Sequence, residues 1–402
     1  MKAVVFRGIG DIRLEDVPKP RLKDDTDAIV RITASAICGT DLHFIRGTVP
    51  GVKPGRILGH EAVGVVEKVG KGVRNLQPGD RVVVPSTVGC GYCAYCRAGY
   101  FAKCDNANPQ GNRAATVFFG GPEDNGGLDG LQAEYARIPF ANVGLVKLPD
   151  QVTDDQAICI SDIFPTAYFG AELAEVDDGD TVCVFGCGPV GQLAIASAKL
   201  LGAGRIIAVD CVPSRLDMAR MQGAEVVDFE KEDPAEVVVE LTGGIGVDRV
   251  IDAVGIDAQH AHHGPAARKA KKQPFKNEVK KVAPKQNPKG DNWHPGDAPS
   301  QALRWGVEVL AKAGTHGIIG VYPKSAEFYP IGEAMGKNLT IKTGDCNHRR
   351  YIPRLVDLVA SGAFDPSQVL TEFEPVTDAI EAYKQFDQRS AGWMKVELTP
   401  PK

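Results

Sequence analysis

The sequence predicts an α/β protein in two parts, a small glycine-rich β-domain and a doubly wound parallel sheet. Three observations carry that expectation. Short apolar, β-branched runs in the first half are separated by glycines and prolines. From Asp180 onward, apolar runs alternate with stretches at helical spacing. Finally, 402 residues exceed what one core fills, because single cores stop growing near roughly 250–300 residues.

Composition narrows the class. An apolar fraction of 43% and a charged fraction of 24% are those of an ordinary globular chain. The net charge of −5 speaks against a nucleic-acid partner. No run of about 18 apolar residues occurs, so no membrane partner is expected. The start MKAVVFRGIG alternates like a strand and not like a signal peptide, which places the protein in the cytoplasm. Ten cysteines in a long chain, four of them within fifteen residues, point to metal binding over a disulfide framework.

Taken in order, Ala28 to Ile37 (AIVRITASAI) alternates as a strand and delivers Cys38 at its end. A thiolate there is held by a rigid sheet; the bland alternative is a small buried hydrophobe. Thr40 and His43 follow on a short helical turn, where a hydroxyl two residues from the thiolate reaches a bound substrate oxygen and an imidazole passes its proton to water. Gly59-His60-Glu61 then sits on a turn before the run AVGVVEKVG, a setting for a metal ligand with an acidic neighbour or for a buried ion pair. Gln77-Pro78-Gly79-Asp80 is a turn before the strand Arg81 to Val84.

Cys90-x2-Cys93-x2-Cys96-x7-Cys104 is the most specific signal in the chain. Four thiolates at these separations close a tetrahedral shell around Zn²⁺ with no open position, so the role is structural. An iron–sulfur cluster takes the same ligands, but its familiar spacings differ. A Gly-, Asn- and Pro-rich stretch from Asn106 to Gly130 follows, then a strand in LQAEYARIP. Ser161 or Asp162 stands at an N-cap position before a helix, which alone explains an aspartate there.

DTVCVF is a strand, followed by Gly186-Cys187-Gly188-Pro189-Val190-Gly191 and a segment with helical periodicity. Asp210 ends the next apolar run, RIIAVD, about 20 residues on, the setting a dinucleotide-binding turn requires. The glycines let a pyrophosphate approach the helix N-terminus. Asp210 accepts both ribose hydroxyls and repels a 2′-phosphate, favouring NAD over NADP, although Arg215 is a residue type that holds such a phosphate.

Strand–helix alternation continues to Gly255 and then stops. From about Asp257 to Ser300 the chain is expected to be irregular, with nine Lys or Arg between His260 and Ser300 against three acids. Regular structure is expected to resume with a helix over SQALRWGVEVLAKAG and a strand over THGIIGVY. Backbone near Gly320 would meet the nicotinamide carboxamide. Leu339 to Thr343 is the expected last strand of that sheet, and Tyr351 to Ser361 a helix.

Five motifs in order, namely Cys38 to His43, Gly59 to Val73, the cysteine cluster, the Ser161-Asp162 segment and the glycine turn, resemble the zinc-dependent medium-chain alcohol dehydrogenases. The resemblance runs over essentially the whole chain. It implies a GroES-like β-rich catalytic domain from residues 1–177 and 345–402, and a Rossmann NAD-binding domain from residues 178–344 with a long insertion at about 257–300. It implies two Zn²⁺ ions, one structural and one catalytic, together with NAD, a small-molecule alcohol or aldehyde substrate, and a homodimer or homotetramer. Ser161-Asp162 followed by Pro165-Thr166 is similar to the glutathione-independent formaldehyde dehydrogenase branch. That similarity implies Cys38, His60 and Asp162 as the catalytic ligands, with Cys159 the competitor to Asp162, and implies that the insertion covers the adenine end of the cofactor. Glu61 is expected to stand beside the metal and to coordinate it transiently. Thr40, the ribose hydroxyl and His43 are expected to carry the proton away. Two other classes compete: a metal-free quinone reductase of the same fold, which Cys38 and the cysteine cluster disfavour, and a binding protein that has lost turnover.

Overall fold

Six strands form the doubly wound sheet. The computed structural model describes residues 1–285 and 288–401. The strands run in the order Glu225–Asp228, Arg205–Asp210, Thr181–Phe185, Val247–Asp252, Leu310–Ile318, Thr340–Thr343, every neighbouring pair parallel. Numbered along the chain this is the order 3-2-1-4-5-6, which opens a crevice at the carboxyl ends of Thr181–Phe185 and Val247–Asp252, where the winding reverses. The inner strands Arg205–Asp210 and Thr181–Phe185 read as continuous apolar runs because helices cover both faces.

The second sheet is mixed and has seven strands. Its centre is the long strand Ala28–Ile37, antiparallel to Ala62–Val69, Tyr135–Ile138 and Lys395–Thr399. The last of these comes from the far end of the chain, so residues remote in sequence meet beside Cys38. Among the described residues no helix is long and apolar enough to cross a membrane.

Two expectations need correction. The helix expected over SQALRWGVEVLAKAG ends at Val309, and Leu310–Ile318 is a strand. Pairing of Leu310 with Val247 draws the segment into the sheet, and sheet pairing outweighs the helical propensity of Leu, Ala and Lys. The basic insertion also holds two helices, Gly264–Ala270 and Phe275–Val282. The second buries Phe275, Glu278 and Val282 on one face and exposes lysines on the other, a periodicity that the lysine-rich composition concealed. Residues 286 and 287 of this stretch lie outside the described set.

The insertion leaves the parallel sheet and returns against the other half of the molecule. Trp293 packs in a core with Leu42, Phe44 and Tyr383, and its amide donates to Asp387 Oδ2 at 2.8 Å.

Candidate active site

Cys38 ends the central strand and starts the helix Gly39–Arg46. Its amide donates to Asp41 Oδ2 (3.1 Å), which fixes the turn, while Asp41 Oδ1 lies 3.3 Å from His60 Nδ1. That approach gives charge attraction but no aligned hydrogen bond, since both atoms remain unpartnered. His60 itself follows Gly59, whose φ of 86° and whose position, with a Cβ landing 2.4 Å from Gln132 Cγ, exclude any side chain.

Asp162 comes from a third direction. It separates the helices Asp154–Ser161 and Ile163–Leu173, and its side chain caps neither. The carboxylate turns into the cleft instead: Oδ2 stands 3.5 Å from His60 Nε2 and 3.8 Å from Cys38 Sγ. Ligand atoms held about 2.0–2.3 Å from a tetrahedral ion lie roughly 3.3–3.8 Å apart, so these separations fit zinc. Cys159 is fully buried in the apolar core and does not join the group. Cys38, His60, Glu61 and Asp162 all bring a ligating atom within 4.8 Å of one another.

Glu61 points elsewhere with its better-held oxygen. Oε1 pairs with Lys395 Nζ at 2.6 Å, both residues wholly buried, and Lys395 also donates to Ile37 O (2.9 Å). Burial pushes the Glu61 carboxyl up and Lys395 pulls it back. Oε2 has no partner. His348 Nε2 lies 2.5 Å from Asp162 Oδ1, and His348 Nδ1 meets Thr87 Oγ1 at 3.0 Å. Burial opposes ionisation of Asp162, but His348 and His60 hold its carboxyl well below the usual range.

The four cysteines of the lobe also converge, with Sγ atoms within 4.8 Å and Cys93–Cys104 at 3.9 Å. Amides aim at the sulfurs: Cys90 N at Cys104, Cys93 N at Cys90, Ala107 N at Cys104, each 3.3–3.4 Å away. Burial raises the Cys93 thiol, but the Cys96 and Asp105 amides outweigh it and hold the value at about 7. The lobe is pinned by Ala102 N to Asn347 Oδ1 (3.0 Å) and Lys103 to Asp345 (2.6 Å), the segment that carries His348.

Both halves share a cleft of about 890 Å³ in which Cys38, His60 and Asp162 face Gly186, Gly188 and Asp210. Residues 24–150 match the alcohol dehydrogenase GroES-like domain, and residues 189–262 match the zinc-binding dehydrogenase domain. The uncharacterized zinc-type alcohol dehydrogenase-like protein AdhB of Bacillus subtilis is 37% identical over the whole of both chains. The glutathione-independent formaldehyde dehydrogenase of Pseudomonas aeruginosa is 40% identical over 65% of this chain and 68% of its own. The solved alcohol dehydrogenase TADH from Thermus sp. ATN1 superposes with a TM-score of 0.80 at 34% identity, covering both chains completely. The chain belongs to the zinc-type alcohol dehydrogenase family.

The family's cofactors are zinc and NAD(P), and this zinc-type dehydrogenase carries a cradle for each. At the glycine turn, a Cβ on Gly191 would stand 1.8 Å from Gly186 O, so only glycine lets the helix Pro189–Leu200 approach the strand. Pro189 occupies the first turn, and Val190 packs from it against the core. Asp210 is more occupied than expected: its oxygens already accept the amides of Cys187 (2.7 Å), Cys211 (2.7 Å) and Val212 (2.9 Å). Arg215 lines the cleft beside it with an unpartnered buried Nε, and Arg389 lies close enough for the two to repel. Gly320 closes the opposite wall, its amide donating to Asp252 O (2.9 Å).

Thr40 and His43 both line the cleft, but His43 has a partner from the other half of the molecule. Asp257 Oδ2, at the start of the insertion, lies 2.8 Å from His43 Nδ1 and 2.7 Å from Arg46 Nη1. Arg46 in turn pairs with Asp387 at 2.7 Å. His348, Lys395 and Asp257 carry no local signal in the sequence. Each is a single residue without a motif around it, supplied by a chain return, and only an acid-rich or basic residue in an otherwise buried run marks them, as with Lys395 between Met394 and Val396.

Proposed function

We propose that this dehydrogenase oxidises a small alcohol or an aldehyde hydrate, with formaldehyde hydrate the first substrate to try, and passes the hydride to NAD. The observation that carries the reading is the meeting of Cys38, His60 and Asp162 in the same cleft as the glycine turn. When bound there, zinc would act as a Lewis acid toward the substrate hydroxyl while the nicotinamide accepts the hydride. The chain supplies the rest. His348 stands 2.5 Å from Asp162 Oδ1, as partners of metal ligands do, and Asp41 is a charge neighbour of His60 at 3.3 Å. Lys395 holds Glu61 Oε1 beside the site at 2.6 Å.

Proton removal falls to Thr40 and His43. Asp257 Oδ2 at 2.8 Å and Thr48 Oγ1 at 3.2 Å both engage His43 at Nδ1, which leaves Nε2 as the ring nitrogen for the proton path. Asp257 then remains ionised, with Arg46 beside it: burial opposes its charge, and His43 and Arg46 overcome that cost. A geminal diol offers the same hydroxyl and the same C–H bond as an alcohol, so one site serves both. Asp210 supports NAD over NADP, and the two arginines beside it make the ratio worth measuring. Residues 1–177 with 345–402 are proposed as the catalytic domain and 178–344 as the NAD domain, in a cytoplasmic homodimer or homotetramer whose mass light scattering would give.

A simple primary or secondary alcohol or polyol dehydrogenase is the second reading. It is favoured by the full-length likeness to the Thermus alcohol dehydrogenase, against a likeness to the formaldehyde enzyme over only 65% of the chain. Formaldehyde and a panel of alcohols and polyols, assayed at 340 nm with NAD⁺ or NADP⁺, separate the two. A rise with formaldehyde and NAD⁺ supports the first; a rise with alcohols alone supports the second. No rise with any substrate in zinc-replete protein would sink both and leave a binding protein.

A further inference from the structure

Another group of metal-ligating side chains lies outside the cleft, where the basic insertion begins and ends. His260 and His262 stand two residues apart on the outgoing stretch, and Asp297 faces them from the return. Their ligating atoms lie within 4.8 Å of one another, as they do at the two family centres. We propose that His260, His262 and Asp297 form a third metal site, for a divalent transition cation such as Zn²⁺, that ties the two ends of the insertion together.

The carboxylates around the imidazoles are already held by backbone. Asp297 Oδ1 accepts the His260 amide at 2.9 Å, and Oδ2 lies 2.8 Å from His260 Nδ1. Glu230 Oε2 accepts the amides of His262 and His263, both at 2.9 Å, while Oε1 lies 2.9 Å from His262 Nδ1. Glu230 only accepts, so it takes the proton of His262 Nδ1 and leaves Nε2 of that ring to ligate, while Asp297 is itself a ligand. The two rings lie 4.9 Å apart between centroids, and both are partly open to solvent, so an ion can enter without unfolding anything. Tetrahedral ligand atoms are spaced roughly 3.3 Å apart, so the 2.8 Å pair must separate by only about half an ångström.

Donor chemistry selects the cation. Two imidazoles with one carboxylate suit Zn²⁺ and its neighbours; Mg²⁺ and Ca²⁺ want oxygen shells. Glu230 follows the edge strand Glu225–Asp228, so an ion here would fasten both ends of the insertion to the parallel sheet.

Zinc counting tests the site without reference to activity. Full-length zinc-replete protein is dialysed to equilibrium against micromolar free Zn²⁺, and metal per chain is measured by atomic emission. The parent should hold one more zinc than His260→Ala/His262→Ala and than Asp297→Ala, and His263→Ala should match the parent. Added Zn²⁺ should raise the melting temperature of the parent and not of the double variant. Since these side chains are partly exposed, all four proteins should melt alike without added zinc, which shows that the variants fold. Equal zinc in parent and double variant overturns the proposal, whatever that number is.

Discussion

The two family metal centres are built from opposite materials. The cysteine lobe takes all its ligands from one fifteen-residue stretch and surrounds its sulfurs with backbone amides. The proposed cleft centre would draw a thiolate, an imidazole and a carboxylate from three distant elements, and Asp41 Oδ1, His60 Nδ1 and Glu61 Oε2 beside it make no hydrogen bond. His60 Nδ1 and Asp41 Oδ1 lie 3.3 Å apart, so the cleft is organised by charge between distant side chains where the lobe is organised by local backbone. The lobe is organised to keep a metal, and the cleft to use one.

The largest test of this contrast removes a cleft ligand. Asp162→Asn should lose one zinc and cut turnover by ~10³-fold or more, the equivalent of about 4 kcal/mol of lost Lewis-acid stabilisation, with a smaller fall in melting temperature than a lobe variant. Metal analysis beside steady-state rates checks it. Cys104→Ser should do the reverse: it should lose the lobe zinc and lower the melting temperature by roughly 10 °C, while folded protein at low temperature keeps most of its turnover. If both variants lose activity and stability to the same extent, the contrast fails.

A third change probes the buried pair beneath the cleft. Lys395→Met leaves the Glu61 carboxylate unpaired and should cost about 3–5 kcal/mol in chemical denaturation, whereas Lys395→Met/Glu61→Gln should recover most of that loss. Equal destabilisation of the single and double variants would show that packing, not charge, is what Lys395 contributes. The smallest effect is expected from Asp257→Asn, which keeps shape and the Asp387 partner of Arg46. It should lower kcat roughly tenfold, a fraction of what a positioned general base contributes, and shift the pH profile of kcat while leaving zinc content unchanged. An unchanged pH profile would remove Asp257 from the proton path.

The same contrast explains what could be read in the sequence. The lobe is legible because its ligands lie within one short stretch, and the glycine turn because strand, turn, helix and acidic residue occur in order from Thr181 to Asp210. Cys38 was legible because a ten-residue alternating strand delivers it. His348, Lys395 and Asp257 were not, because what makes them matter is a carboxylate from elsewhere in the chain, and long-range pairing leaves no local pattern. The end of the helix at Val309 escaped for a related reason: Leu310 to Ala313 are good helix formers, and only the neighbouring strand makes them extended. In the insertion the helical pattern of Phe275 to Val282 is present, but the lysine-rich composition around it masks it.

One measurement bears on the centre of the account: an anomalous difference map at the zinc edge from crystals of the zinc-replete protein with NAD⁺. The account predicts a peak among the four lobe sulfurs and a second touching Cys38 Sγ, His60 Nε2 and Asp162, on the nicotinamide side of the cleft. A lobe peak with no density between Cys38, His60 and Asp162, or an ion there held without the Asp162 carboxylate, would contradict it.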